Sequence, residues 1–207
     1  MSSTLRRPCK RARGREHVAR AASILFHPAV VMTAAALVAT QGREDTSILP
    51  VVAFTLLAAA AVMAYSARQV RKGRWSHIDA SLPQERSQLN RFSSWLLLAL
   101  AAVLAVAGAS PGLAAALGLS GLIVLAGHLL RGRLKSSLHV AFAMFATFIA
   151  WPEPTAVVVL AGVVLVVGWS RLALRRHGVA DVLAGAVTGA LAGLAFRGFL
   201  LAGWLSA

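Results

Sequence analysis

Seven long apolar runs, at 24–40, 48–67, 92–109, 113–130, 138–151, 155–169 and 182–205, limit this chain more than any other feature. Runs of this length and composition belong in lipid. There each backbone polar group must be satisfied within its own segment, which leaves the helix. Only 14% of the residues are charged, against about 25% in a soluble domain. A soluble core and a disordered tail are thereby excluded. So is a disulfide scaffold, because Cys9 is the single cysteine. The expected fold is an all-α polytopic membrane helix bundle of six to seven apolar segments. A basic segment at 1–23 leads into one integral membrane domain at 24–207.

Turn chemistry divides the runs. Ala109-Ser110-Pro111-Gly112 separates the third from the fourth, and Trp151-Pro152-Glu153-Pro154 the fifth from the sixth. The fifth and sixth are short, since about 14 helical residues reach only ~21 Å of a ~30 Å hydrocarbon core. They are expected to tilt in from the interface or to form a re-entrant hairpin. With alternating spans, segments 1–23, 68–91, 131–137 and 170–181 share one side and carry 19 of the 21 basic residues. The other side holds Arg43 against Glu44 and Asp45, and Glu153, while Arg197 lies near the outer end of the last span. The positive-inside rule therefore predicts a cytoplasmic N-terminus and an external C-terminus. The basic stretch from Arg6 to Arg20 is long for a signal peptide, so an uncleaved first span is expected. Eighteen arginines against three lysines point to a GC-rich bacterial genome, and hence to a bacterial cytoplasmic membrane. The net charge of +14 sits between apolar runs, where it meets lipid headgroups and not nucleic acid.

Polar residues at span ends cost free energy near lipid unless they face a protein interior. His177 and Asp181 are spaced i, i+4, so a helical turn stacks them on one face. A carboxylate beside a histidine fixes its tautomer and leaves the other ring nitrogen ready for attack or proton transfer. Arg171 offers a planar fork suited to phosphate oxygens. A basic loop with an incidental His–Asp pair is the alternative. Two further polar clusters share this side: Lys135-Ser136-Ser137-Leu138-His139, and the stretch from Asp79 through Glu85 to Arg86.

The order of these clusters resembles the type 2 phosphatidic acid phosphatase superfamily. Ser170-Arg171, five residues, His177, three residues and Asp181 meet the family's third motif at every fixed position. Ser136-Ser137-Leu138-His139 is similar to the second motif, Pro-Ser-Gly-His, at Ser137 and His139. The chain looks like a bacterial branch with a Lys-x-Ser-x-His version. Asp79, six residues, Arg86-Ser87 keeps only the arginine of the first motif, Lys, six residues, Arg-Pro. The resemblance implies metal-independent, cofactor-free hydrolysis of a lipid phosphate, a monoester or pyrophosphate. His177 would attack phosphorus, Asp181 would orient it, and His139 would protonate the leaving oxygen. Arg86, Arg171 and Ser137 would hold the phosphoryl group. Leu138 stands where the family has a glycine that admits the phosphate. Asp79 stands where it has a lysine, and Lys135 is the expected replacement if residues 135–139 begin a helical turn. A degenerate member that binds or transports lipid phosphates without hydrolysing them is the alternative. Vanadium haloperoxidases share the motifs but are soluble.

The remaining polar and aromatic residues have structural readings. His128 is expected in helix packing or at the interface, with lining the pocket as the alternative, His77 in solvent or against headgroups, and His27-Pro28 at the start of the first span, where proline suits the first turn. Gly185, Gly189 and Gly193 make a small-residue stripe for close helix packing, with a homodimer face as the alternative. Trp75, Trp95, Trp151, Trp169 and Trp204 fall near span ends as interfacial anchors.

Overall fold

The computed structural model describes residues 10–41, 48–78, 80, 82–151 and 153–205. Cys9, Arg43, Glu44, Asp45, Asp79 and the side chain of Trp204 lie outside the described residues. Among the described residues the chain is entirely helical: α1 (Lys10–Leu25), α2 (Pro28–Thr40), α3 (Ile48–Arg71), α4 (Pro83–Val106), α5 (Pro111–Leu130), α6 (Leu138–Ile149), α7 (Pro154–Ala173) and α8 (Val179–Leu205). Five of these, α3, α4, α5, α7 and α8, are long and apolar enough to cross a membrane. The α1–α2 pair, bent by 49° at its break, makes a sixth crossing if it acts as one span. The chain is a polytopic membrane helix bundle.

Local chemistry sets the ends. Proline opens α2, α4, α5 and α7 at a position where its missing N–H costs nothing. Helix α3 stops at Gly73, φ +65°, where the Arg74 N–H donates to the Gln69 carbonyl. Helix α7 stops in the same way without a glycine. Arg175 takes φ +52° and the Arg176 N–H donates to the Arg171 carbonyl, a left-handed cap that L side chains adopt reluctantly.

Two expectations need correction. The sixth apolar run is not short: α7 has 20 residues, about 30 Å of helix. It continues through Ser170 and Arg171 because both are buried inside the bundle, where their polarity is no barrier to a helix. The fifth run does stay short, with 12 residues in α6, about 18 Å. It is neither laid in the interface nor paired off in an isolated hairpin. Val140, Ala141, Phe142, Ala143, Phe145, Ala146 and Ile149 are all buried, so α6 is the central rod around which α2, α7 and α8 pack. Surrounded by protein, it need not match the thickness of the bilayer.

The glycine stripe of α8 is what lets α6 sit there. A Cβ on Gly185 would lie 2.5 Å from the Ser137 carbonyl oxygen, and one on Gly189 closer still to that of Ala141. Gly193 faces the Phe148 ring, and Phe145 meets Phe196 edge to face at 6.0 Å. The stripe is therefore consumed within the chain and offers no homodimer face. Trp75 likewise departs from its expected place at the membrane surface. It is buried in the α3–α4 loop, donates from Nε1 to Gln88 at 2.9 Å and packs edge-on against Tyr65. Trp95, Trp151 and Trp169 are exposed on the bundle surface.

Adding a methyl group where backbone already stands forces a shift that costs roughly 1–3 kcal/mol. Gly189→Ala should therefore lower the melting temperature in detergent by about 5 °C or more. Gly162→Ala, whose Cβ meets nothing within 4 Å, should leave it unchanged. Equal melting temperatures for both variants would contradict this packing.

Candidate functional site

Three connections at one end of the bundle carry the polar residues, and backbone contacts hold them together. The segment 134–137 before α6 is irregular, and the start of α8 grips it. The Ser137 N–H donates to the Asp181 carbonyl at 3.0 Å, and the Lys135 N–H donates to Asp181 Oδ1 at 3.0 Å. Asp181 Oδ2 accepts from the Gly178 N–H at 3.0 Å, tying the α7–α8 turn to the same carboxylate. One side chain thus fixes both the segment before α6 and the α7–α8 turn.

His177 stands in that turn. Its Nδ1 is 2.9 Å from the Lys135 carbonyl oxygen and 3.6 Å from Asp181 Oδ2. A carbonyl can only accept, so Nδ1 carries the proton and Nε2 keeps its lone pair. Asp181 lies beyond hydrogen-bond range and orients the ring by holding the backbone that supplies the carbonyl. The pairing read from the i, i+4 spacing is real, but it runs through Lys135. Burial and the charge of Arg171 hold the His177 pKa below its ordinary value, against the opposing pull of the Lys135 carbonyl and Asp181. The ring is neutral at physiological pH.

Arg171, only 5% exposed, reaches inward from the last turn of α7. Its Nη1 donates to Ser23 Oγ at 3.0 Å, and its Nη2 donates to His139 Nδ1. His139, in the first turn of α6, also meets the edge of the His27 ring, with centroids 5.6 Å apart. Arg86 is exposed in the first turn of α4, near enough for its charge to be felt at both Arg171 and His177. Glu85 positions that turn. It is buried, and it accepts from the Ser76 N–H at 2.7 Å and the Leu82 N–H at 3.1 Å, closing the α3–α4 loop over itself. Ser137 is fully buried, and its hydroxyl has no hydrogen-bond partner; the same holds for Ser136 Oγ and Arg171 Nε. Such orphans cost about 1–3 kcal/mol each while they lack a partner.

His177, His139, Asp181, Arg171, Ser137 and the backbone of Lys135 are therefore brought to one site, with Arg86 at its edge. The Lys135 side chain is not where the sequence suggested. Helix α6 begins only at Leu138, so no turn spans 135–139, and the exposed Lys135 contributes its amide and carbonyl instead. Asp79 lies outside the described residues. Leu138 takes no left-handed backbone angle, so the glycine expected there is not required by conformation, and its side chain packs on Gly127. His128 Nε2 lies 3.0 Å from Arg131 Nη1, at the end of α5. Ser23 and His27 were missed. The available signal was their position at the basic end of the first span, level with the other clusters.

Among the described residues no three His, Cys, Asp or Glu side chains group as metal ligands. The arrangement combines a neutral histidine with one bare nitrogen, a second histidine, and guanidinium and hydroxyl donors, a set suited to a tetrahedral oxyanion. No protein-family model, curated protein or solved structure matches the chain, so the site is read from its residues alone.

The His177 pKa is open to direct measurement. A ¹⁵N-histidine NMR titration in micelles should place its midpoint below 6.5. Arg171→Gln should raise that midpoint by removing a positive neighbour, and Asp181→Asn should lower it by removing a negative one. A midpoint at or above 6.5 in the unaltered protein contradicts the assignment of a buried, cation-flanked ring.

Proposed function

We propose that this protein is a membrane-embedded, metal-independent phosphatase that removes phosphate from a lipid phosphate, of phosphatidate or polyprenyl type, through a phosphohistidine intermediate. One observation carries the reading. Arg171 bridges Ser23 and His139 and lies near enough to His177 for its charge to be felt there, while Ser137 Oγ and Arg171 Nε stay buried without partners. A phosphoryl group supplies what those donors lack.

Attack by His177 Nε2 on phosphorus breaks the bond to the ester oxygen, and the leaving oxygen takes a proton from His139. Asp181, through the Lys135 carbonyl, keeps Nδ1 protonated and stabilises the charge that develops on the ring. Arg171, Arg86 and Ser137 bind the equatorial oxygens. His139, neutral after its first proton transfer, then takes a proton from water as that water cleaves the phosphohistidine and releases inorganic phosphate. The lipid tails remain among the bundle's apolar faces, with the headgroup at the level of the basic loops. The chain's membrane lipids are its immediate partners, and the basic loops favour anionic ones.

Purified protein should release phosphate from a panel of lipid phosphates in EDTA, and vanadate should block it. His177→Ala should abolish turnover while retaining the melting temperature and lipid-phosphate binding. Binding without release by the unaltered protein would make it a lipid-phosphate carrier on the same scaffold. A requirement for added Mg²⁺ would point to another mechanism.

The charge asymmetry supports a site on the cytoplasmic face of a bacterial inner membrane. Removing Arg86, Lys135 and Arg171 from the count still leaves 16 basic residues on that side against 2 on the other. With Cys9 replaced, a cysteine substituted at Ser87, S87C, should resist an impermeant thiol reagent in intact cells. Rapid labelling would reverse the orientation.

A further inference from the structure

The contact between Arg171 and His139 conflicts with the role just given to His139. A guanidinium donates only, so the His139 Nδ1 that receives it is an unprotonated acceptor and the ring is neutral. A neutral imidazole is a poor acid. The guanidinium is only partly satisfied: Nη1 is anchored on the buried Ser23 hydroxyl, Nη2 lies on the His139 ring nitrogen, and the buried Nε has no partner. Ser23 belongs to α1, and His27, whose Nδ1 accepts from the Ala29 N–H at 3.3 Å to cap α2, sets its ring edge against His139. The broken N-terminal helix thus supplies both a fixed point for the arginine and a backing for the histidine.

We propose that Arg171 is a substrate-operated latch on His139, turning about the Ser23 hydroxyl. The inference rests on the phosphate reading of the site and adds how its acid is armed. Without ligand, Nη2 occupies Nδ1 and keeps the ring from accepting a proton. A bound phosphoryl dianion takes Nη2 for its own oxygens and exposes Nδ1. The dianion also offsets the positive charge that protonation would add. His139 then takes one proton from water at Nδ1 and becomes an imidazolium. It returns one proton to the leaving oxygen as the P–O bond breaks, which leaves the ring neutral again. An empty site holds no armed acid.

The charged and titratable groups around His139 are consistent with this order. His27 faces it from the α1–α2 break, Arg171 from α7, and Arg176 and His177 from the α7–α8 turn. From α8, the Asp181 carboxylate is occupied by the Lys135 and Gly178 amides, and on α5 His128 is engaged by Arg131. No carboxylate among these neighbours bonds to His139, so the anion that balances an imidazolium must arrive with the ligand.

The test is proton uptake on binding tungstate, a tetrahedral dianion that does not titrate near pH 7. Calorimetry of the full-length protein in two buffers of different ionisation enthalpy should show about one proton taken up per dianion bound. His139→Gln should bind tungstate without uptake, and His177→Asn should bind with uptake intact. ¹⁵N-histidine NMR should show His139 Nδ1 unprotonated in the free protein and protonated in the complex. Ser23→Ala should lower kcat/KM by about tenfold, with Ser23→Thr restoring it. Binding without proton uptake, or uptake that persists in His139→Gln, overturns the latch and leaves the phosphatase reading standing. Failure of the unaltered protein to bind tungstate overturns both.

Discussion

A single buried guanidinium organises this molecule. Arg171 would be prohibitively costly inside a membrane bundle with all its donors unmet, and it meets two of them, at Nη1 and Nη2, on elements other than its own helix while Nε stays without a partner. Ser23 ties α1 to α7, and His139 ties α6 to α7. Truncating Arg171 would therefore loosen the N-terminal helix as well as remove a proposed phosphate ligand. The strained left-handed cap at Arg175 directly follows the turn it anchors, and it swings the chain from α7 toward His177.

A second constraint acts through backbone. Asp181 holds the Lys135 and Gly178 amides, and the close approach of α8 to Ser137 and Ala141 is possible only because Gly185 and Gly189 have no side chains. The proposed nucleophile is thus aimed by a carbonyl, and that carbonyl is aimed by a carboxylate. This arrangement puts the precision of the site in a packed helix pair and not in a loose loop. The short α6, buried on all sides, makes such precision affordable.

Much of this was readable from residues. Apolar runs and prolines located α2 to α8 but not the basic α1, and the spacing Ser170-Arg171, His177, Asp181 located one arm of the candidate site. What failed did so for physical reasons. Hydropathy ended the sixth span at Trp169 because it cannot know that Ser170 and Arg171 are buried against polar partners. Helical periodicity placed the Lys135 side chain beside His139, whereas 134–137, gripped by Asp181, is irregular and α6 begins only at Leu138. Trp75 resembled an interfacial anchor but satisfies its N–H on Gln88. Ser23 and His27 belong to the site only through tertiary packing. No spacing rule joins residue 23 to residue 171.

The central claim is that His177 becomes covalently phosphorylated. It is tested most directly by mixing the protein with a lipid phosphate labelled with ³²P in the phosphoryl group, quenching in alkaline detergent within the first turnover and mapping the label by mass spectrometry. The account predicts an alkali-stable, acid-labile phosphohistidine at residue 177, absent from His177→Ala. Turnover that leaves no protein-bound phosphate, or phosphate carried by a different residue, would contradict it.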